Sequence, residues 1–331
     1  MALRISLHKI RPSYILKPRG KNLKFVYYLR CALRNLVPQW WLQHHKTALL
    51  HSLEHRADKD YILDRVNYYN KLTCISPVTG KKSVADIPNK GSTCTRDTFE
   101  ITRYFDSKLK VDTLLGDNTL IGETPSIVKS RPIHGDNQND VVLNLDKVRH
   151  FTFLKDKRSF ASKRNMAIFR GATFQPHRQR FMKMYFGHPL VDCANTAHKS
   201  NLPAEWNKPL ITLYDHLHYK FIICLEGNDV ASNLKWVMSS NSIAIMPKPK
   251  YETWFMEGRL KAGVHYIEIK DDFSDLEEKI QYYSQHIDEA ETILQNAHEF
   301  VRQFFDKPRE ELIAILVMQK YFELTGQNTQ S

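Results

Sequence analysis

Four short, mostly apolar runs in the second half of the chain constrain its fold most. They occupy residues 166–169, 221–225, 242–246 and 265–269, and a glycine, proline or charged turn follows each of them. Runs of four or five such residues are too short for buried helices but fit strands covered on both faces. Helical patterns are predicted over 176–186, from about 229 to 240, over 274–286 and over 288–305. Strands alternating with helices predict an α/β fold with a parallel sheet.

The first half is less regular. Helices are predicted over 61–72 and 99–112, and short apolar runs such as 127–128 and 141–143 indicate short strands. Ser274 and Glu277 have the spacing of a capping box and predict the start of a helix in the second half. No internal repeat interrupts the 331 residues, a length that suits one large or two ordinary domains.

The charge is concentrated at the beginning of the chain. Residues 1–50 hold ten Lys or Arg and no acid, although the net charge of the whole chain is +12. Trp40 and Trp41 accompany these cations, a mixture typical of helices at a membrane interface. The alternatives are that the apolar residues pack on the body, or that the arm binds nucleic acid. Against nucleic acid, the remaining residues have a net charge of only +2 and contain no recognised motif.

Cysteines and targeting patterns point away from secretion. The five cysteines have no CxxC spacing, which argues against a disulfide framework and a zinc ribbon. No apolar run reaches 18 residues, and the beginning of the chain lacks a signal-peptide pattern. A cytoplasmic protein, peripheral at an anionic membrane surface, is therefore predicted.

The segment 169–180 combines a strand end with a basic helix start. Arg170 and Gly171 close the run 166–169, and Pro176 stands where a helix begins, with His177 and Arg178 in its first turn. Guanidinium groups and free backbone amides at one point suit a diphosphate. A basic surface turn is the alternative.

The segment 225–236 repeats this arrangement. Gly227 follows a strand and permits close backbone approach, and Asn228 or Asp229 could cap a helix or hold a ribose. Because ligands bind outside the carboxyl ends of parallel strands, both segments are predicted to face the same ligand.

Two metal-type patterns receive structural interpretations. The sequence from His51 to His55 matches HxxEH, but no third ligand is evident. Asp58 and Asp60 form a DxD triplet that precedes a helical pattern, where acids favour the helix dipole. No metal site is predicted.

Taken together, these segments resemble glycosyltransferase family 90, whose members include lipopolysaccharide core glycosyltransferases, capsule-associated proteins and protein O-glucosyltransferases. The resemblance rests on FRG-x4-P-x-R at 169–178 and on Y-K-F before the strand at 221–225, and it covers roughly residues 60–305. Further matches at 116–117, 127–133, 135–137 and 147–151 are closest to the bacterial branch.

The resemblance implies a GT-B-like architecture, in which two Rossmann-like domains face a cleft. The predicted boundaries are a basic arm at 1–55, an acceptor-side domain at 56–155, a UDP-sugar domain at 156–305, and a helix and tail at 306–331. It also implies a metal-independent, inverting transfer of glucose or galactose from a UDP-sugar to a hydroxyl of the lipopolysaccharide inner core. A capsule glycan or a protein is the alternative acceptor.

The site residues follow from the motifs and the resemblance. The predicted UDP-sugar contacts are Arg170, Gly171, Ala172, His177, Arg178, Glu226, Gly227, Asn228, Asp229, Val230, Ala231, Asn233 and Lys235, and the predicted acceptor-side residues are Lys129 and Arg131. The animal members carry Ser at the position of Ala172 and Arg at that of Asn233, so donor contacts there must differ.

The catalytic base is predicted to be a carboxylate before about residue 150, because it must face the acceptor rather than the leaving UDP. Asp117 follows Gly116 in a loop and matches the family's base by position, while Asp136 follows Gly135 and is its rival. Asp136 has neighbours typical of a turn that binds its own backbone, which favours Asp117.

Overall fold

The computed structural model describes residues 19–197 and 202–327. Its α-helices are α1 (Lys24–Arg34), α2 (Gln39–Leu53), α3 (Lys59–Tyr69), α4 (Thr93–Thr102), α5 (Lys147–His150), α6 (Pro176–Tyr185), α7 (Leu213–His216), α8 (Leu234–Met238), α9 (Leu276–Gln285), α10 (Ile287–Arg302) and α11 (Lys307–Leu324). Its strands are β1 (Thr113–Leu114), β2 (Ser126–Val128), β3 (Ser130–Pro132), β4 (Asp140–Val142), β5 (Arg164–Gly171), β6 (Val191–Asn195), β7 (Tyr219–Ile223), β8 (Ile243–Met246), β9 (Tyr251–Thr253) and β10 (Ile267–Glu268).

The predicted parallel sheet is confirmed and has five strands, in the order β10-β8-β7-β5-β6. Both faces are buried: Phe221 and Ile223 belong to one core cluster, and Ile222 to the other. This double coverage explains why the strands appear in the sequence as continuous apolar runs. The strand order reverses between β5 and β7, and such a switch point opens a crevice at the carboxyl ends of the strands.

A second, smaller parallel sheet lies in the first half of the chain, with the order β1-β2-β4. The short antiparallel pair of β3 with β9 joins the two halves. Helix α11 returns to the first half and packs on α2, α3 and α4. The α/β fold with parallel sheets is thus confirmed, whereas the two-domain GT-B division and its boundaries stay predictions.

Most predicted helices are confirmed, but two are wrong in extent. The helix predicted over 99–112 is α4, which begins earlier because Ser92 caps it by accepting from the Thr95 amide at 3.1 Å. It ends at Thr102, and Asp106 then accepts from the Lys108 amide in a local turn.

The helix predicted from about 229 is only the five-residue α8. The side-chain amide of Asn233 donates instead to the Ile223 carbonyl at 3.0 Å. This bond ties the segment before α8 to the end of β7. A helix dipole directed from Asn228 and Asp229 at a ligand is therefore absent.

The capping box of Ser274 and Glu277 is also wrong. Ser274 donates its hydroxyl to Asp272 at 2.7 Å, and Asp275 occupies the N-cap of α9 without a side-chain capping bond. Helix α9 still starts within two residues of the prediction, because its apolar face packs on the sheet.

Candidate active site

Arg178 bridges the two loops at the switch point of the large sheet. From the first turn of α6, its Nη1 donates to the Ala172 carbonyl after β5 at 2.7 Å. Its Nη2 and Nε donate to the Leu225 and Glu226 carbonyls after β7, at 2.7 and 2.8 Å. One guanidinium therefore fixes both loops against each other, and its planar fork makes this possible.

The positive charge of Arg178 is not neutralised by a carboxylate among the residues that the structure describes. Burial, followed by the nearby Arg149 charge, lowers the pKa of Arg178 to about 10, so the group remains protonated at neutral pH. A partly buried cation bonded only to carbonyls attracts an anionic ligand.

A cleft of about 360 Å³ opens beside Arg178, between the ends of β7 and β8. Val230 and Ala231 line it together with His177, whose Nε2 lies 2.9 Å from the Glu226 carbonyl. Its far wall is formed by residues 246–251, Asp271 and Phe273. None of the residues in this wall is among those predicted from the sequence, although Pro247, directly after β8, was a signal for a loop there.

Glu226 lies in the wall of this cleft. Its Oε1 accepts from the Lys250 and Tyr251 amides at 2.8 and 3.3 Å. Burial raises the pKa of Glu226 to about 7 in spite of these bonds. The carboxyl group therefore joins the end of β7 to the beginning of β9, and it changes protonation near neutral pH.

Asp117 approaches the same loop from the other side. Its carboxylate pairs with the Lys129 ammonium, and its Oδ2 accepts from the side-chain amide of Asn228 at 3.1 Å. Lys129 is buried and also pairs with Asp229 at 2.7 Å. The structure thus brings together four residues singled out from the sequence, two from each half of the chain.

The environment of Asp117 keeps it ionised. Burial alone would raise its pKa, but the Lys129 ammonium and the Asn228 amide hold the pKa below its ordinary value. A carboxylate has about four acceptor positions, so Asp117 retains positions that can accept a hydrogen bond from a hydroxyl.

The rival Asp136 is exposed and accepts only from the Gln138 side chain, at 3.2 Å. No hydrogen bond or ion pair joins it to another predicted site residue in the described part of the chain. The left-handed Gly135, with a φ of 91°, marks a turn.

Three predicted contacts are occupied elsewhere. Arg170 pairs with Asp192 at 2.7 Å, toward β6, and Lys235 is fully buried in an ion pair with Glu257. Arg131 is fully buried, and it donates to Glu252 at 2.8 Å and to the carbonyls of residues 68, 69 and 140. Because these bonds use the donors of Arg131 inside the protein, it supports the β3–β9 pair rather than an acceptor.

The two glycines differ in their surroundings. A Cβ on Gly171 would lie 3.1 Å from the Phe169 ring, so close packing favours glycine there. A Cβ on Gly227 would lie 3.5 Å from Arg178 Nη2, so the missing side chain keeps the outer face of the guanidinium open.

Arg149 and Gln175 were missed as site residues. The Arg149 charge acts on both Asp117 and Arg178, which places its exposed side chain near both walls. Gln175 donates to Asn228 Oδ1 at 3.0 Å. Arg149 belongs to the matched motif at 147–151, and this was the available signal.

The metal-type patterns have structural roles. Helix α2 ends at Leu53, before Glu54 and His55. Asp58 pairs with Arg56 at 2.7 Å and with Arg309 at 3.1 Å, and Asp60 lies in the first turn of α3. Within 19–197 and 202–327, no three His, Cys, Asp or Glu side chains are grouped to hold a metal ion.

A parallel sheet with a cation at its switch point is an α/β arrangement consistent with a glycosyltransferase fold. Comparison with known proteins makes this specific: the model of glycosyl transferase family 90 matches residues 141–329, and the chain belongs to this family. It is therefore a glycosyltransferase, as the sequence motifs predict.

Individual relatives agree. O-glucosyltransferase LpsA of Dichelobacter nodosus is 40% identical over 306 residues, which are 91% of this chain and 96% of the relative. Protein O-glucosyltransferase 3 of Rattus norvegicus is 27% identical over 50% of this chain and 33% of its own length. Human protein O-glucosyltransferase 1 is 27% identical over 42% of this chain and 37% of its own.

Proposed function

We propose that the protein transfers glucose from UDP-glucose to a hydroxyl of the lipopolysaccharide inner core, with inversion at the anomeric carbon. The observation that carries the proposal is the contact of Asp117 with the Gly227 loop, which puts a carboxylate opposite the cationic crevice of Arg178. Similarity to the bacterial O-glucosyltransferase LpsA over nearly its full length supports glucose and this acceptor class. UDP-galactose is the alternative donor.

In the proposed reaction, the acceptor hydroxyl attacks the anomeric carbon while Asp117 takes its proton. The bond from that carbon to the UDP oxygen breaks, and negative charge develops on the diphosphate. Arg178 stabilises this charge as a preorganised cation, the role that a metal ion has in other transferases. Lys129 positions Asp117 and is itself held by Asp229.

The test is a panel of UDP-glucose, UDP-galactose and UDP-N-acetylglucosamine, with purified truncated core glycolipids as acceptors. Transfer from UDP-glucose alone, with a β-linked product from the α-linked donor, is the expected result. An α-linked product would contradict the inverting mechanism, and transfer only to a capsule glycan or a protein would contradict the acceptor. Since no helix in the described part is long and apolar enough to cross a membrane, the enzyme would meet its glycolipid acceptor from the membrane surface.

A further inference from the structure

Helix α1 carries an apolar face that points away from the protein. Tyr27 donates to Asp97 at 2.9 Å and Arg34 pairs with Glu100 at 2.5 Å, so these residues, with buried Cys31, form the packed side. Positions 25, 29 and 33 follow each other at the helical spacing on the opposite side, and position 36 comes two residues after the end of the helix. They are occupied by Phe25, Leu29, Leu33 and Leu36, which are 48–77% exposed.

The exposed face continues into the beginning of α2. Trp40 and Trp41 are 72% and 42% exposed, and their indole rings have the amphipathic character found at membrane interfaces. Eight of the nineteen large hydrophobic side chains that are exposed in the described residues lie between residues 23 and 41. Such clustering marks an interaction surface rather than ordinary scattered exposure.

The charge around this face has one sign. Residues 19–53 contain six Lys or Arg and no acid. Arg34 is used internally, but Lys24 and Arg30 flank the apolar stripe of α1 and form no ion pair among the described residues. An apolar stripe bordered by cations fits a surface that offers both acyl chains and negative charge.

We propose that the α1–α2 face, defined as Phe25, Leu29, Leu33, Leu36, Trp40 and Trp41 with flanking Lys24 and Arg30, docks on an anionic lipid bilayer. In this arrangement α1 and the first turn of α2 lie in the interfacial plane, with their exposed apolar side chains at the boundary between headgroups and acyl chains and Lys24 and Arg30 among the phosphates. The inference goes beyond sugar transfer and does not depend on the identity of donor or acceptor.

The first experiment uses the natural tryptophans. Of the five, Trp206, Trp236 and Trp254 are buried, so contact with lipid can quench only Trp40 and Trp41 directly. We expect vesicles of brominated phosphatidylcholine with 30 mol % phosphatidylglycerol to quench part of the fluorescence, and the variant Trp40→Phe with Trp41→Phe to lose that quenching. Binding to these vesicles without quenching in the unmodified protein would overturn the proposal.

The second experiment compares matched surface variants. The pair Leu29→Gln and Leu33→Gln removes apolar side chains from the face, and Ile75→Gln with Leu210→Gln removes side chains elsewhere that are more exposed still. We expect the first pair to lower partition into anionic vesicles about tenfold or more and the control pair less than twofold. Equal partition of the two pairs would overturn the proposal.

The same variants also test two alternatives to lipid docking, namely that a second copy of the chain covers the α1–α2 face or that residues 1–18 alone bind the lipid. If Leu29→Gln with Leu33→Gln converts a dimer to a monomer in sedimentation and leaves vesicle partition unchanged, the face joins two copies of the chain and the proposal fails. If deletion of residues 1–18 abolishes partition while the Leu29 and Leu33 pair retains it, the charged arm alone binds lipid and the proposal also fails. Titration of each variant with UDP measures nucleotide binding at the cleft independently of lipid binding. A failure of the membrane proposal can therefore be told apart from a failure of the proposed sugar transfer.

Discussion

The two walls of the cleft are built in different ways. The Arg178 wall stands on β5 and β7, whose apolar side chains are buried on both faces of a five-strand sheet, and its loops are tied through backbone carbonyls. The Asp117 wall is a loop after the two-residue β1, fixed by the Lys129 ion pair and by Asn228. We therefore expect binding of the sugar donor to depend on the rigid loops held by Arg178. Proton transfer should depend on the single carboxylate of Asp117.

The sharpest way to separate the walls is Asp117→Asn. It removes the base but leaves the buried pair of Lys129 with Asp229 intact. We expect turnover to fall by about two orders of magnitude or more, the usual scale for a lost general base, with UDP affinity unchanged. Steady-state transfer and calorimetric UDP titration measure the two effects.

The matched control for this change is Asp136→Asn, which alters an exposed turn. It should leave turnover within about twofold of the unaltered enzyme, the scale of a neutral surface change. The reverse pattern, with Asp136→Asn inactive and Asp117→Asn normal, would exchange the two roles.

The opposite wall is tested by Arg178→Ala. We expect UDP affinity to fall by about 10- to 100-fold, because a charge-assisted contact contributes roughly 1.5–3 kcal/mol. The change also leaves the carbonyls of Ala172, Leu225 and Glu226 without their donor, so the melting temperature should decrease.

Two variants assign this effect to the fork of Arg178. Arg178→Lys keeps the charge but cannot hold three carbonyls, and it should recover only part of the affinity. Arg180→Ala removes an exposed arginine from the same helix and should have no effect on UDP binding. Calorimetry that finds Arg178→Ala and Arg180→Ala equal would refute the diphosphate role.

Glu226, which joins the loop after β7 to the beginning of β9, predicts a pH dependence of stability. Burial raises its pKa from 4.5 to about 7, so between these values the folded chain binds more protons than the unfolded chain. The free energy of unfolding should therefore decrease as pH rises from 4.5 to 7, by at most about 3 kcal/mol. Glu226→Gln keeps an acceptor for the Lys250 and Tyr251 amides and should flatten this slope in urea titrations, whereas an unchanged slope would assign it to another group.

The smallest expected effect is that of EDTA. Since Arg178 carries the leaving-group charge in the proposed reaction, we expect transfer to remain within about twofold after chelation. Complete loss that manganese restores would instead make Asp58 and Asp60 candidate metal ligands, although Asp58 pairs with Arg56 and Arg309 in the structure.

The difference between the buried sheet and the loops around it also explains which elements could be predicted from the sequence. The strands β5, β7 and β8 are visible in the sequence because burial on both faces demands continuous apolar runs, and α6 begins at its predicted Pro176. Helix α8 was overestimated because the side-chain bond of Asn233 to β7, which shortens it, is not a local pattern.

In the candidate site, residue type alone could not show which arginine is available to bind a ligand. Arg131 and Arg170 lie in strands and Arg178 in the first turn of α6, and each was a reasonable ligand from its residue type. The structure pairs Arg131 with Glu252 and Arg170 with Asp192, whereas Arg178 donates to the carbonyls of the loops beside the cleft and pairs with no carboxylate among the described residues. Partner choice depends on residues far away in the chain, such as the 121 positions between Arg131 and Glu252.

The sequence by itself determined the alternation of strands and helices, the location of the two loops after β5 and β7, and the family, because these depend on local periodicity and short motifs. Tertiary structure alone decided that Asp117 and Lys129 meet Asn228 and Asp229, since that contact spans 111 residues between Asp117 and Asn228. It also decided which side of α1 is packed. Hydrophobic periodicity defines an apolar face, but only the placement of Tyr27 and Arg34 against the body reveals that this face points outward.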